Sequence, residues 1–246
     1  MTEAIPDLKG KTALVTGASR GIGRAAAIAY AKAGAHILAI ARTAGALEEL
    51  DDDIRASGGT ATLIPFDLTE GDGIERLAAT VAERFEKLDI LFANAAILGE
   101  LAPLTHIEPK VWLKTLDLNV TVNWRLIRAF DALLRKSDDG RAVFLTSRVG
   151  GEVPRAFWGG YAVSKAALEM LAKTYAEETR NANVTVAILD PASMRTAMRA
   201  QAMPGEDPES LPSPKELTPL FYEAATGKWE GANRLSFREW AARQSG

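Results

Sequence analysis

Tyr161 and Lys165 stand four residues apart in the stretch Tyr161-Ala-Val-Ser-Lys165. On a helix this spacing puts both side chains on one face, one turn apart. A free phenol titrates at about 10 and is a poor acid or base at neutrality. A neighbouring ammonium stabilises the phenolate and lowers that value; bringing it to about 7 takes roughly three units, or about 4 kcal/mol of differential stabilisation. The pair is a candidate proton donor and acceptor. The same spacing also arises as an amphipathic surface pair, so its chemistry depends on what the rest of the chain brings to it.

A second cluster supplies a partner for such chemistry. Thr16-Gly17-Ala-Ser19-Arg20-Gly21-Ile22-Gly23 follows a short apolar run and opens an alanine-rich helical stretch. Glycines at this point allow a tight turn and a close approach of backbone to a pyrophosphate, whose charge meets the helix N-terminal amides. The spacing is Gly-x-x-x-Gly-x-Gly, and no Gly-Lys-Ser/Thr follows, so a Walker-type phosphate loop is excluded. Dinucleotide binding through Gly17, Ser19, Arg20, Gly21, Ile22 and Gly23 is expected. The next strand ends at Ala41-Arg42, where an acidic residue would favour NAD. Arg42 and Arg20 can instead pair with a 2′-phosphate, which predicts NADP(H) over NAD(H); the plain alternative for Arg42 is a solvated charge. Asp67-Leu68 ends the third strand. Asp67 can accept from an adenine amino group or cap the next helix. Asn94-Ala95-Ala96 ends the fourth, where small residues admit a ribose; Asn94 can also tie strands together.

These motifs need a scaffold that brings strand ends together. Apolar runs at residues 11–16, 36–41, 61–66, 89–92, 142–146 and 184–189 alternate with helical patterns at 21–33, 45–57, 73–85, 109–136 and from 161 onward. The strands are apolar throughout, as expected when both faces are covered. The prediction is an α/β fold: a Rossmann-type doubly wound parallel sheet of six or seven strands with helices on both faces. Residues 1–246 read as a single catalytic domain, with 193–216, rich in Pro, Met and acidic residues, expected as its substrate loop.

Composition narrows the function. The chain has 246 residues, a formal charge of −3 and no cysteine, which excludes disulfides, thiolate metal sites and cysteine nucleophiles. Two histidines, His36 and His106, leave little for a metal site, and none is expected. No basic tract suggests nucleic acid, and no apolar run reaches the length of a membrane span. A soluble cytoplasmic protein is expected.

Taken together, these pieces resemble the short-chain dehydrogenase/reductase family over roughly residues 8–196. The carriers are Thr16–Gly23, Asp67-Leu68, Asn94-Ala95-Ala96, Asn119, Ser147 and Tyr161–Lys165, in the family's order. The resemblance implies that Tyr161 is the general acid in carbonyl reduction and the base in alcohol oxidation, and that Lys165 lowers its pKa and holds the nicotinamide ribose. It implies that Ser147 bonds the substrate carbonyl and that Asn119 positions a relay water. Pro191 and Thr196, after the sixth strand, would lie at the nicotinamide, with Thr196 on its carboxamide. A small carbonyl or alcohol substrate and a homodimer or homotetramer follow from the same likeness. A cofactor-sensing binding protein without turnover is the alternative.

The chain departs from the family in three places. Ala96 and Ala192 stand where glycines are common, which matters if either needs a positive φ. The tail carries Trp229, Phe237 and Trp240, which can pack on the domain or on a neighbour, with a short seventh strand near 234–237. Arg155 and Arg199 are candidates for an anionic substrate group, or are ordinary loop charges; Phe157, Trp158 and Met198 offer an apolar lining.

Overall fold

The computed structural model describes residues 5–151 and 153–244. Its chain order is β1 (Thr12–Thr16), α1 (Gly21–Lys32), β2 (His36–Ala41), α2 (Ala44–Ala56), β3 (Thr60–Pro65), α3 (Gly73–Arg84) and β4 (Ile90–Ala93). Then come α4 (Pro109–Leu116), α5 (Val122–Arg135), β5 (Gly140–Leu145), α6 (Gly159–Glu178) and β6 (Val184–Asp190). The chain finishes with α7 (Ala197–Ala202), α8 (Thr218–Thr226), β7 (Ala232–Ser236) and α9 (Phe237–Gln244).

The seven strands form one parallel sheet in the order β3-β2-β1-β4-β5-β6-β7. The order reverses between β1 and β4, which opens a crevice beyond their carboxyl ends. The reason the strands read as unbroken apolar runs is visible in β2. Ile37, Ala39 and Ala41 face one core, with α1, α2 and α8, while Leu38 and Ile40 face the other, with α3, α5 and α6. Each fully buried leucine or isoleucine contributes about 1.5–3 kcal/mol and each alanine methyl less, so both faces hold the sheet.

Four expectations shift. The third strand sits one residue earlier and the fourth one residue later than predicted, and the fifth begins two residues earlier, at Gly140, and ends at Leu145. The single helix expected over 109–136 is interrupted by a π-helical turn, Asp117–Thr121, that contains Asn119. Residues 193–216, expected to be a loop without sheet pattern, contain α7 and two 3-10 turns. The seventh strand is real and begins earlier, at Ala232; it pairs with β6. The tail aromatics pack on the chain itself: Trp229 Nε1 donates to the Val186 carbonyl at 3.0 Å, and Phe237 stacks on Trp240 at 5.5 Å.

Candidate active site

Because every strand is parallel, the residues that follow β1 to β6 all emerge at one edge of the sheet. Gly17 and Gly21, at φ 64° and 57°, adopt a left-handed backbone that a side chain would strain. A Cβ on Gly23 would lie 2.3 Å from the Gly17 carbonyl oxygen, so the turn closes only with glycine there. Asn94 holds that turn in place. Its Nδ2 donates to the carbonyls of Thr16 at 2.9 Å and Gly17 at 3.3 Å, and its own backbone N–H, like that of Ala95, donates to Thr16 Oγ1 at 3.0 Å. Asn94 is the strand-tying asparagine of the two readings given above, and Thr16 is the partner that sequence reasoning missed. Ala95 and Ala96 line the chain just beyond, and neither needs a positive φ.

Gly21, Ile22 and Gly23 form the first turn of α1, which carries no acidic residue, while Ser19 and Arg20 precede it. Arg20 and Arg42 are both exposed, and among the described residues neither makes an ion pair. Asp67 accepts from the Thr69 N–H at 3.0 Å and hydroxyl at 2.7 Å. Those bonds, the backbone one first, hold its carboxyl below the usual range, with Arg42 and Lys114 adding to the effect. Asp67 therefore closes a short Asx turn and does not cap α3, whose N-terminal neighbour is Asp72. Leu68 is buried beneath it. Across the crevice, the Thr196 methyl would stand 3.5 Å from a Cβ at Gly21, so the glycine turn and the segment after β6 face each other. The Thr196 hydroxyl caps α7, accepting from the Arg199 N–H at 3.2 Å, and Pro191 is buried at the end of β6.

On the other side of β4, α6 presents Tyr161 and Lys165, both buried. Lys165 Nζ lies 5.6 Å from the centre of the Tyr161 ring and donates to the Leu145 carbonyl at 2.7 Å. Ser147 follows β5, and its hydroxyl acts on the Tyr161 phenol. Burial dominates the phenol, which sits among Leu98, Trp158 and Ala202. It is pushed up to about 12; the Ser147 contact lowers it and the charge of Asp190 raises it. The depressed phenol anticipated from the Tyr–Lys spacing is not found in this arrangement, because burial outweighs the contacts that favour the phenolate. Burial lowers Lys165 to about 8, against the opposing pull of Glu169.

Asn119 is fully engaged. Its Oδ1 accepts from the Ile97 N–H, and its Nδ2 donates to the Ile97 carbonyl and to Ser164 Oγ, all at 2.9 Å. Ser164 donates onward to the Tyr161 carbonyl at 2.7 Å. The Asn119 carbonyl accepts from Asn123 Nδ2 at 2.8 Å. Asn119 thus ties the chain after β4 to the Tyr161 turn through Ser164, a residue whose part was not foreseen.

A further network lies behind Lys165. Glu169, one turn further along α6, accepts from Thr146 Oγ1 at 2.7 Å and from Arg234 Nη1 at 2.5 Å; Arg234 Nη2 donates to Asp190 at 2.8 Å. It joins the ends of β5, β6 and β7 beneath the site. Above the site, α7 brings Met198 and Met203 against the Tyr161 cluster. Arg199, considered above as an anion ligand, is chelated by Glu206 through Nε at 2.5 Å and Nη2 at 2.6 Å. A cavity of about 290 Å³ lies within this segment, between Thr196, Arg199, Met203 and Leu211. Among the described residues no carboxylate or histidine cluster could hold a metal, and no helix is long and apolar enough to cross a membrane.

The comparisons with known proteins agree with this geometry. The short chain dehydrogenase family model matches residues 11–207. The oxidoreductase YciK of Escherichia coli K12 is 36% identical over 217 residues, covering 87% of this chain and 85% of that protein. A 3-oxoacyl-[acyl-carrier-protein] reductase of Synechocystis is 32% identical, covering 78% of this chain and 77% of its own. Among solved structures, a short chain dehydrogenase from Shigella flexneri complexed with NADP superposes with a TM-score of 0.89 at 34% identity, covering 94% of this chain and 98% of that one. With its parallel sheet, glycine turn and Ser147–Tyr161–Lys165 cluster, this chain belongs to the short-chain dehydrogenase/reductase family of oxidoreductases.

Proposed function

We propose that the protein is an NADP(H)-dependent oxidoreductase that interconverts a carbonyl and a secondary alcohol on a small molecule, with Tyr161 as proton donor and acceptor. The observation that carries this reading is the convergence of Tyr161, Ser147 and Lys165 at the sheet edge where the glycine turn also opens. The fit of a dinucleotide rests on this chain's own residues: a turn that tolerates only glycine at residue 23, an α1 N-terminus free of acidic side chains, and two exposed guanidinium groups that make no ion pair among the described residues. Gly17, Ser19, Arg20, Gly21, Ile22 and Gly23 would hold the pyrophosphate, Arg20 and Arg42 the 2′-phosphate, Asp67 and Leu68 the adenine. Asn94, Ala95 and Ala96 would border the adenosine ribose, Tyr161 and Lys165 the nicotinamide ribose, and Pro191 and Thr196 the carboxamide. The relative complexed with NADP, and a second from Escherichia coli CFT073 complexed with NADPH at 33% identity, support that choice of cofactor.

A nicotinamide held there would supply the hydride. The protein's part is orientation and proton transfer. Ser147 bonds the carbonyl oxygen and fixes it beside the phenol. Tyr161, neutral with its pKa at about 12, delivers the proton to the oxygen on which negative charge develops. Lys165, beside the ring, makes loss of that proton easier when its ammonium turns from Leu145 toward the phenolate. Asn119 and Ser164 hold the Tyr161 turn, and residues 193–216 cover the substrate.

The test is NADPH oxidation over a panel of ketones and aldehydes. Wild type is expected to turn over at least one compound, and Tyr161→Phe to lose roughly 10²-fold or more in kcat, the span of a general acid. Equal rates in the two proteins would remove Tyr161 from the chemistry. With that substrate, NADPH should outperform NADH in kcat/KM, and Arg42→Ala should shrink the ratio by about tenfold, one charge-assisted phosphate contact. A wild-type preference for NADH would overturn the cofactor assignment.

A further inference from the structure

The mouth of the site carries a cation that neither the catalytic cluster nor the dinucleotide crevice uses. Arg155 precedes α6 and is exposed. Its guanidinium lies 5.0 Å from the Trp158 ring centre, and Nη2 approaches Met203 Sδ at 3.6 Å. An aromatic face and a thioether orient a guanidinium without neutralising it. Among the described residues Arg155 has no ion-pair partner. Arg155 helps to lower the pKa of Glu206, but both Glu206 oxygens are chelated by Arg199. Arg199 and Glu206 thus neutralise each other, and among the described residues the Arg155 guanidinium is left without a bonded counter-charge at the rim.

Beneath that charge the wall is apolar. Trp158 meets Tyr161 edge-on, with centres 6.0 Å apart. Leu98, Met198 and Met203 continue the surface, and the rim outside it exposes Val153 and Phe157. A ligand whose carbonyl reaches Tyr161 would lie along the indole and the two methionines, and its far end would arrive at Arg155. Aliphatic length and a terminal anion are what this sequence of surfaces recognises.

We propose that the site selects an amphipathic carbonyl compound, an apolar body on the Trp158–Met198–Met203 wall with an anionic group bound by Arg155. Arg155 is then a specificity-determining residue and takes no part in proton transfer. The inference rests on the reading of this site as the substrate mouth of an oxidoreductase, and its test does not depend on finding the reducible substrate.

The test is calorimetric titration of the protein, with and without saturating NADP+, by decanoate and by decanol, two ligands of equal chain length. Decanoate is expected to bind at least tenfold more tightly than decanol, the span of one charge-assisted contact. Arg155→Met keeps an apolar stem against Trp158 and should bring decanoate down to the affinity of decanol; Arg155→Lys should restore part of the difference. Equal affinity of the two ligands for wild type, no binding of decanoate, or a variant that loses both ligands in equal proportion would each overturn the proposal. Failure of NADP+ itself to bind would sink the cofactor reading alone, since the decanoate–decanol comparison is made in its absence as well.

Discussion

Lys165 keeps a charge where its surroundings disfavour one. Its ammonium is buried, donates to one carbonyl at 2.7 Å, and is held down to about 8 by burial despite Glu169. A lysine whose folded pKa is lowered binds fewer protons in the folded state than in the unfolded one, between about 8 and the unfolded value of about 10.4. Stability therefore rises with pH across that window, and the full penalty is felt below it. Replacing Lys165 by Met removes the titration. Wild type should gain on Lys165→Met by ~2 kcal/mol between pH 7.5 and 10 in urea unfolding. A constant difference over that range would show that the charge is not strained. Tyr161, raised to about 12, titrates with the opposite sign: its contribution is fully present below about 10 and is lost as pH rises toward 12. The lysine window is thus read clear of the phenol. The Tyr–Lys spacing was legible because helical geometry fixes which side chains share a face. The direction of the phenol's shift was not, because its burial depends on residues such as Leu98 and Ala202, which are distant in sequence and reach Tyr161 only through the fold.

Elements set what those side chains can reach. The β–α alternation and the strand-end motifs could be read from sequence, since burial on both faces forces apolar runs and a parallel sheet forces every carboxyl end to one edge. The π-helical turn at Asn119 could not, as its cause is tertiary: Asn119 reaches Ile97 on one side and Ser164 on the other. The same holds for Arg234. It lies in a strand recognised only faintly, yet it reaches Glu169 and Asp190 from there. Ala192 is the converse case, a sequence oddity that the backbone explains. It links β6 to the covering segment at φ 57°, the left-handed region that disfavours a Cβ. Its N–H donates to Asp190 Oδ1 at 3.1 Å, which holds the strained turn in place. Ala192→Gly is expected to relieve the strain and raise stability by about 0.5–1 kcal/mol, the entropy of the added glycine offsetting part of the gain. Urea midpoints with an unchanged m-value would measure it, and a loss of stability would show that Ala192 is not strained.

At the scale of the whole molecule, the surface departs from that of a self-contained sheet protein. The helices of one layer expose large apolar side chains: Leu113 on α4 at 64%, Trp124 on α5 at 47%, and Met170 on α6 at 62%. Single exposed apolar residues are ordinary, but three on successive helices of one layer favour an interface. Arg128 lies over the Trp124 ring at 5.7 Å, so the indole is oriented while half of it stays open. A second copy of the chain is the partner we propose, meeting it through α4, α5 and α6 about a two-fold axis. This would couple assembly to catalysis, since α6 carries Tyr161 and Lys165 and the turn between α4 and α5 carries Asn119. Sedimentation at micromolar concentration should give a dimer or tetramer, and Trp124→Glu with Met170→Lys should shift it to monomer. If the partner copy braces these helices, the double variant should also lose activity on the substrate identified with NADPH, with far-ultraviolet circular dichroism preserved. A wild-type monomer under these conditions would refute the interface, and a monomeric variant with full activity would refute the coupling while leaving the assembly intact.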